Sequence, residues 1–423
     1  MNYPRSLAVR VLTRVLSDFQ PLDEVLTAVS SEVEQECIPW LYEVCSGTLR
    51  WKGRLDSILD SVAVRKKPSG GLRKTLLLGA YQLVAQDRVS IAQVVSETVS
   101  EVKRKDGEAP ARFANACLRQ VAAQALAWRD QPFPPFGAAN PAQAAAWGSL
   151  PLWMWNKLVH QHGLEWAQAF AAASLDRPRL WVRSRRPDWS SDWVEQGPVP
   201  GSWVQNDAGR SASGRAVVGR AGFVEGEWIV QDVSSQVLIH EVTARVREVL
   251  GVDAVSALDL CAAPGGKSVG LAWNGMNVTS TEIREDRAQL LRETLARAAP
   301  QVEWLPWSEV STGGRTNWDL VWVDAPCSGS GILRRHPDVR WLRREEEIPR
   351  LNQSQRAVLK QGWDAVKPGG FLVYSVCSVF KEEGPQIIEQ AGLKSCAVQE
   401  WLLGPQQSPF GDGFWGVLLR KSA

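Results

Sequence analysis

Residues 258–268 read LDLCAAPGGKS: a short apolar run, a turn of small residues containing Pro264, Gly265 and Gly266, and the opening of a helix. A strand that runs through a glycine turn into a helix is the first unit of an α/β sheet. Such a turn lets a ligand approach the backbone, and the amides that follow can hold a carboxylate at a helix N-terminus. The GGKS ending invites a nucleotide-phosphate reading. The pattern G-x-x-x-x-G-K-[ST], however, requires glycine five residues before Gly266, and that position is Cys261. A P-loop ATPase is excluded on that ground, and G-x-G-x-x-G does not occur in this turn.

Downstream of the turn, short apolar runs alternate with charged, periodic stretches such as Glu285 to Ala298. The runs at Val255–Leu260, Asn277–Thr281, Asp319–Val323 and Phe371–Ser375 predict strands, and their alternation with helices predicts a parallel sheet covered on both faces. Ligands of such sheets bind beyond the carboxyl ends of the strands, so the loops there carry the chemistry. Glu282 ends the second run, about twenty residues beyond the glycine turn, where an acidic residue accepts hydrogen bonds from a ribose. Its other reading is a surface charge paired with Arg284 or Arg287; the glycine turn favours the nucleoside. After the third run comes VDAPCSGSG, residues 323–331, with Asp324 at the strand end and Cys327 displayed among small residues. The fourth delivers Cys377 in YSVCS. Adjacent strands lie about 4.8 Å apart, so two thiols at their ends can share one crevice. Cys37, Cys45, Cys117 and Cys396 read instead as small apolar core residues.

Upstream, residues 5–127 read as consecutive amphipathic helices. Ala8, Val11, Leu12, Val15, Leu16 and Phe19 recur at three- and four-residue steps, as do Leu55, Ile58, Leu59 and Val62, and later Phe113, Cys117, Leu118 and Val121. Residues 131–151, QPFPPFGAANPAQAAAWGSLP, hold five prolines and predict a linker. The expected division is a helical domain over 1–130, the linker 131–151, a small mixed module over 152–215, and an α/β domain over 216–423. The mixed module is dense in tryptophan, which core packing explains, with base stacking as the lesser reading.

Composition narrows the classes further. Of 423 residues, 44% are hydrophobic and 22% charged, which is ordinary globular usage. The first 24 residues are interrupted by Arg5, Arg10, Arg14, Asp18, Asp23 and Glu24, so a secretory signal is not expected there, and no run reaches the ~18 apolar residues of a membrane span. Seven cysteines without paired spacing read as reduced thiols in the cytoplasm. Four scattered histidines and no C-x-x-C predict no metal. The net charge of +2 conceals three basic groups: Arg50 to Lys74, Arg177 to Arg186, and Arg334, Arg335, Arg340, Arg343 and Arg344. Each can be a solvated face; three together predict a phosphate-rich partner.

LDLCAAPGGKS, VDAPCSGSGILRRHPDVRW and YSVCSV resemble the cofactor, proline-cysteine and catalytic-cysteine motifs of the Sun-type (Fmu-type) RNA cytosine-5 methyltransferases. SGTLRW, LLLGAYQL, VVSETV and FANACLRQV resemble the NusB-like RNA-binding domain fused to that catalytic unit in bacterial small-subunit ribosomal RNA methyltransferases, and GDGFWGVLLRK matches the last strand of the family. The resemblance spans essentially the whole chain. It implies a multidomain protein: an all-α NusB-like domain, a small α+β module and a Rossmann-like methyltransferase domain. S-adenosylmethionine would lie on Cys261, Ala262, Ala263, Pro264, Gly265, Gly266, Lys267, Glu282, Arg287 and Asp324. Cys377 would attack carbon-6 of a cytosine, Asp324 would bond the ring edge with Lys267 close by, and Cys327 would serve release. The implied partner is 16S ribosomal RNA before full subunit assembly, met by a monomer in the cytoplasm, with neither metal nor membrane involved. Two departures stand out: Val376 occupies the usual threonine position, and EWLPWS, residues 303–308, lacks the usual aspartate after the third strand. A non-catalytic assembly factor and the same chemistry on transfer RNA are the competing readings.

Overall fold

The computed structural model describes residues 4–63, 67–86, 89–130, 140–206, 219–252, 254–311, 317–404, 406 and 411–423. The chain divides into two compact units, Met1–Arg177 with Leu333–Glu345, and Pro178–Ile332 with Glu346–Ala423.

The first unit is helical: α1 (Arg5–Ser17), α2 (Leu22–Val29), α3 (Ile38–Val62), α4 (Gly70–Ala85), α5 (Ile91–Asp106), α6 (Glu108–Ala123), α7 (Ala125–Asp130), α8 (Pro141–Trp147), α9 (Leu152–His162) and α10 (Leu164–Ala173). The expected stripes are its core, with Leu12, Val15, Leu59 and Leu118 all buried. Phe19 departs from its stripe, because α1 ends at Ser17 and Phe19 is exposed at positive φ. The boundaries also differ from those expected. Residues 131–139 of the expected linker lie outside the described residues, but 140–151 belong to the helical unit. There the Asn140 side chain caps α8 by accepting from the Gln143 amide, Pro141 sits in the first turn where no amide is needed, and Trp147 is buried. Prolines at helix starts thus open helices. Met154, Trp155 and Leu158 of α9 bury likewise, so the helical unit runs to Arg177 and the expected 152–215 module is split. Its expected end at 215 falls outside the described residues.

Leu333–Glu345 follows the Cys327 loop in sequence yet belongs to the helical unit. Its Arg340 is fully buried and donates to the carbonyls of Arg50, Ser149, Ser174 and Leu333 at 2.9–3.2 Å. Arg50 Nε donates in turn to the Arg334 carbonyl, and Trp341 Nε1 to that of Leu49. This corrects the reading of the basic groups: Arg50, Arg54, Arg183, Arg334 and Arg340 are buried and do not offer their charge to a phosphate surface. Arg177, Arg185, Arg186 and Arg344 remain exposed. Arg65 and Lys66 lie outside the described residues.

The second unit opens with an antiparallel sheet in the order β2-β3-β1-β4, made of β1 (Trp181–Ser184), β2 (Val194–Gln196), β3 (Ser202–Gln205) and β4 (Trp228–Val230). Trp189, Trp193 and Trp228 are buried together at ring separations of 5.4–6.3 Å, so this tryptophan cluster is core. The main sheet has seven strands in the order β10-β11-β9-β8-β5-β6-β7. They are β5 (Ser256–Asp259), β6 (Asn277–Ser280), β7 (Glu303–Trp304), β8 (Trp318–Asp324), β9 (Val366–Val376), β10 (Ala397–Leu403) and β11 (Phe414–Arg420). The five strands β5 to β9 run parallel, and β10 and β11 add an antiparallel edge. Val321, Trp322, Leu372 and Val373 are fully buried, as expected of strands covered on both faces. The chain moves outward from β5 through β6 to β7, then returns to lay β8 on the other side of β5. The crevice at the carboxyl ends of β5 and β8 is therefore the switch point of the sheet.

Candidate active site

Three neighbouring strands deliver the candidate residues. Asp324 ends β8 in register with Ser375 of β9, and Cys377 follows β9 directly. Lys267 stands in the first turn of the helix Gly266–Trp273 that follows β5. Lys267 Nζ donates to Asp324 Oδ2 at 2.6 Å, while Ser375 Oγ donates to Asp324 Oδ1 at 2.9 Å. Burial works against the charge on Lys267, but Asp324 overcomes it and holds the ammonium above its ordinary value. Both oxygens of Asp324 are thereby aimed, and the carboxylate stays about a third exposed to the crevice, at 31%.

The loop after β8 turns Cys327 back toward the end of β9, and the two sulfurs, Cys327 Sγ and Cys377 Sγ, stand 3.2 Å apart. The contact with Cys377, burial, and the charges of Cys377 and Glu383 hold the Cys327 thiol well above the ordinary thiol range. This favours the protonated thiol at Cys327, and in the contact itself either sulfur can be the donor. The close approach of two glycines locks the loop: Gly413 N donates to the Gly331 carbonyl at 2.8 Å, and a Cβ on Gly331 would run into the Gly413 carbonyl. At Cys261, burial and then the carboxylates of Glu282, Asp259 and Asp324 push the thiol up, away from the thiolate form. Cys45 and Cys117 lie buried in the helical unit, their thiols also raised by burial.

The turn from Cys261 to Gly266 packs beside β6, with Ala262 N donating to the Thr281 carbonyl. Gly265 has φ +106, a conformation that favours glycine, and a Cβ there would press on Thr294 and Leu291. Arg287 donates to the Ala263 carbonyl at 2.7 Å, so its guanidinium fastens the turn. Glu282 is buried at 6% exposure, and its Oε1 accepts from the Arg284 amide; Arg284 extends its guanidinium to Asp286. Glu282 Oε2, Asp259 Oδ1, Thr281 Oγ1 and Gln231 Oε1 are buried acceptors left without a partner. Four orphaned acceptors around one glycine turn fit a ligand that brings its own donors, as ribose hydroxyls and an ammonium group do. Asp259, pushed up to about 7 by burial against the pull of its Ser268 hydrogen bond, anchors the floor of the turn.

Ser375 and Gln231 went unread in the sequence. Ser375 meets Asp324 only through the register of β9 against β8, and Gln231, whose Nε2 donates to the Gly266 carbonyl at 2.7 Å, lies 35 residues from it in the chain. Val376 is fully buried in an apolar cluster against which Cys327 also packs. Trp304, at the end of β7, lies under the Arg292 guanidinium at 4.8 Å, and Trp307, which opens the short helix that follows, packs into the core. Among the described residues, no group of three His, Cys, Asp or Glu could hold a metal, and no helix is long and apolar enough to cross a membrane.

A seven-stranded sheet with a glycine turn after its first parallel strand and orphaned buried acceptors beside that turn fits an S-adenosylmethionine-dependent methyltransferase, the class to which this chain belongs. Residues 252–409 match the 16S rRNA methyltransferase RsmB/F family and residues 2–123 match the NusB family. A ribosomal RNA small subunit methyltransferase B of Cronobacter sakazakii is 30% identical over 99% of this chain and 98% of that protein, and one of Klebsiella pneumoniae is also 30% identical over the same shares. The chain belongs to the RsmB/F family of 16S rRNA methyltransferases. The crystal structure of PH0851 shares the fold across 100% of both chains with a TM-score of 0.69 at 19% identity. That of NSun6 from Pyrococcus horikoshii with SFG does so over 64% of this chain and 98% of that one, with a TM-score of 0.53 at 15% identity.

Proposed function

We propose that this protein methylates carbon-5 of a cytosine in 16S ribosomal RNA, acting as a monomer in the cytoplasm on RNA not yet fully assembled into the subunit. The observation that carries this reading is the pair of sulfurs 3.2 Å apart beside the Lys267–Asp324 pair. Carbon-5 of cytosine is a poor nucleophile, and a thiolate adding at carbon-6 makes it a good one. Cys377 forms the S–C6 bond, and the electron pair of the C5=C6 double bond moves onto carbon-5. Asp324 bonds the ring edge near nitrogen-3, where charge develops, and Lys267 stands behind it. When bound, S-adenosylmethionine supplies the electrophilic methyl group. Glu282 takes its ribose, and the turn Cys261–Gly266, fastened by Arg287, takes its amino-acid end. Once carbon-5 bears the methyl, its proton leaves to water, the C5–H electron pair restores C5=C6, and the S–C6 bond breaks with its pair on Cys377, whose sulfur Cys327 contacts. The target base must stand outside a duplex to meet groups on both its face and its edge.

With labelled S-adenosylmethionine and unmodified 16S RNA, the protein is expected to place label on a single cytosine located by bisulfite sequencing. Label in transfer RNA instead would reassign the substrate, and no measurable S-adenosylmethionine binding would favour the assembly factor. Cys377→Ala is expected to give neither product nor covalent RNA adduct, while Cys327→Ala accumulates adduct. The reverse pattern would swap their roles.

A further inference from the structure

We infer that Glu383 is a positioning residue that sets the approach of the two reactive thiols and thereby governs release of the methylated base. This rests on the reading above.

Glu383 is fully buried. Its Oε1 accepts from the Ser328 amide at 2.7 Å and from Gln355 Nε2 at 3.1 Å, and its Oε2 accepts from Ser328 Oγ at 2.5 Å and Ser378 Oγ at 2.6 Å. Ser328 follows Cys327 and Ser378 follows Cys377, so one carboxylate grips both cysteine loops at the residues next to the sulfurs. Gln355 Nε2 also donates to the Pro326 carbonyl at 2.9 Å, which places the Cys327 backbone between two holds. Around the carboxylate, Ser330 Oγ lies 2.8 Å from Ser378 Oγ and accepts from the Val379 amide, while Ser378 Oγ accepts from that of Phe380. The Tyr374 hydroxyl donates to the backbone carbonyl of Glu383 at 2.8 Å, fixing the carboxylate from its own main chain.

These donors are all neutral. A carboxylate taken out of water against neutral donors is retained at a cost in stability, and apolar packing would fill the same space. What the carboxylate adds is direction, since backbone and side-chain donors from two loops converge on one rigid group. Neighbouring strands alone bring the loop ends close; converging the sulfurs on one base requires the loops themselves to be held, and a displacement of about 1 Å can cost roughly 100-fold in rate. The negative charge of Glu383 also favours a protonated Cys327, the state in which it can donate to the departing sulfur of Cys377.

The test uses the full chain, 16S RNA and labelled S-adenosylmethionine. Glu383→Gln keeps the shape but removes the charge and turns one acceptor into a donor facing other donors. The expected result is a kcat lowered about 10- to 100-fold with KM for RNA within about threefold of wild type. A covalent protein–RNA adduct is expected to accumulate on a denaturing gel, as with Cys327→Ala. A merely structural role would lower adduct and product together and would not create an adduct. If Glu383→Gln fails to fold, Ser378→Ala decides, because it removes one donor and leaves the carboxylate in place; the same adduct is expected with a several-fold loss in kcat. Wild-type kcat in the soluble variant, or parallel loss of adduct and product, would overturn the inference. Failure of the wild type to methylate RNA would instead overturn the functional reading.

Discussion

Each unit contains a fully buried charge, and the two are held in opposite ways. Arg340 in the helical unit donates to four backbone carbonyls, whereas Glu383 in the sheet unit accepts from an amide, two hydroxyls and a side-chain amide. The carbonyls that Arg340 satisfies include those of Ser149 and Ser174, just past the ends of α8 and α10, where helices leave acceptors without donors. Arg340 thus closes a fold. Glu383 ties the loops that carry Cys327 and Cys377, and under the proposed function its removal is expected to be read first in chemistry. A buried charge by itself marks neither role; the groups it holds decide.

The contrast would break most visibly at Arg340. Arg340→Met leaves four carbonyls without their donor, and a loss of about 3 kcal/mol or more is expected in thermal unfolding followed by helical circular dichroism. A variant melting like wild type would make Arg340 a spectator. Lys267→Met tests the opposite pole: kcat is expected to fall about 100-fold, with a melting temperature near that of the wild type. Unchanged turnover would remove Lys267 from the machinery.

Asp259 sharpens the comparison through pH. Burial raises its folded pKa to about 7, so the folded state retains a proton that the unfolded state releases near pH 4. Stability from this group is present at low pH and declines as pH rises from about 4 to about 7. Asp259→Asn is therefore expected to gain on the wild type across that window, by about 2 kcal/mol at pH 8, in paired melts from pH 4 to pH 8. A pH-independent difference would refute the buried proton. The smallest effect is expected at His336, whose Nδ1 lies 3.3 Å from Asp23 Oδ2. Burial opposes its charge but Asp23 raises its pKa, and His336 in turn lowers that of Asp23. The pair's contribution is complete below the unfolded histidine value near 6.5, lost as pH rises through the folded value, and worth under about 1 kcal/mol at these exposed positions. Melts of His336→Asn against wild type at pH 6 and pH 9 measure it; a larger deficit at pH 9 would contradict the sign.

The sequence by itself determined the local features. Hydrophobic period 3.6 set the helices, the apolar runs set four parallel strands, and those runs placed the glycine turn, Asp324 and Cys377 at strand ends, because these features need only neighbours in the chain. Tertiary structure decided what depends on groups far apart in sequence. Residues 140–151 fold as helix rather than linker because Ala144, Ala145 and Trp147 of α8 are buried where it packs on α3 and α9, and Leu333–Glu345 serves the helical unit because Arg340 finds carbonyls up to 290 residues away. Arg334 and Arg340 of the third basic group are buried for the same reason, while Arg344 stays exposed. Ser375 and Glu383 are ordinary in composition and gain meaning only when β8 and β9 lie side by side: their partners are 51 and 55 residues distant, and no periodicity or motif encodes a hydrogen bond across that span.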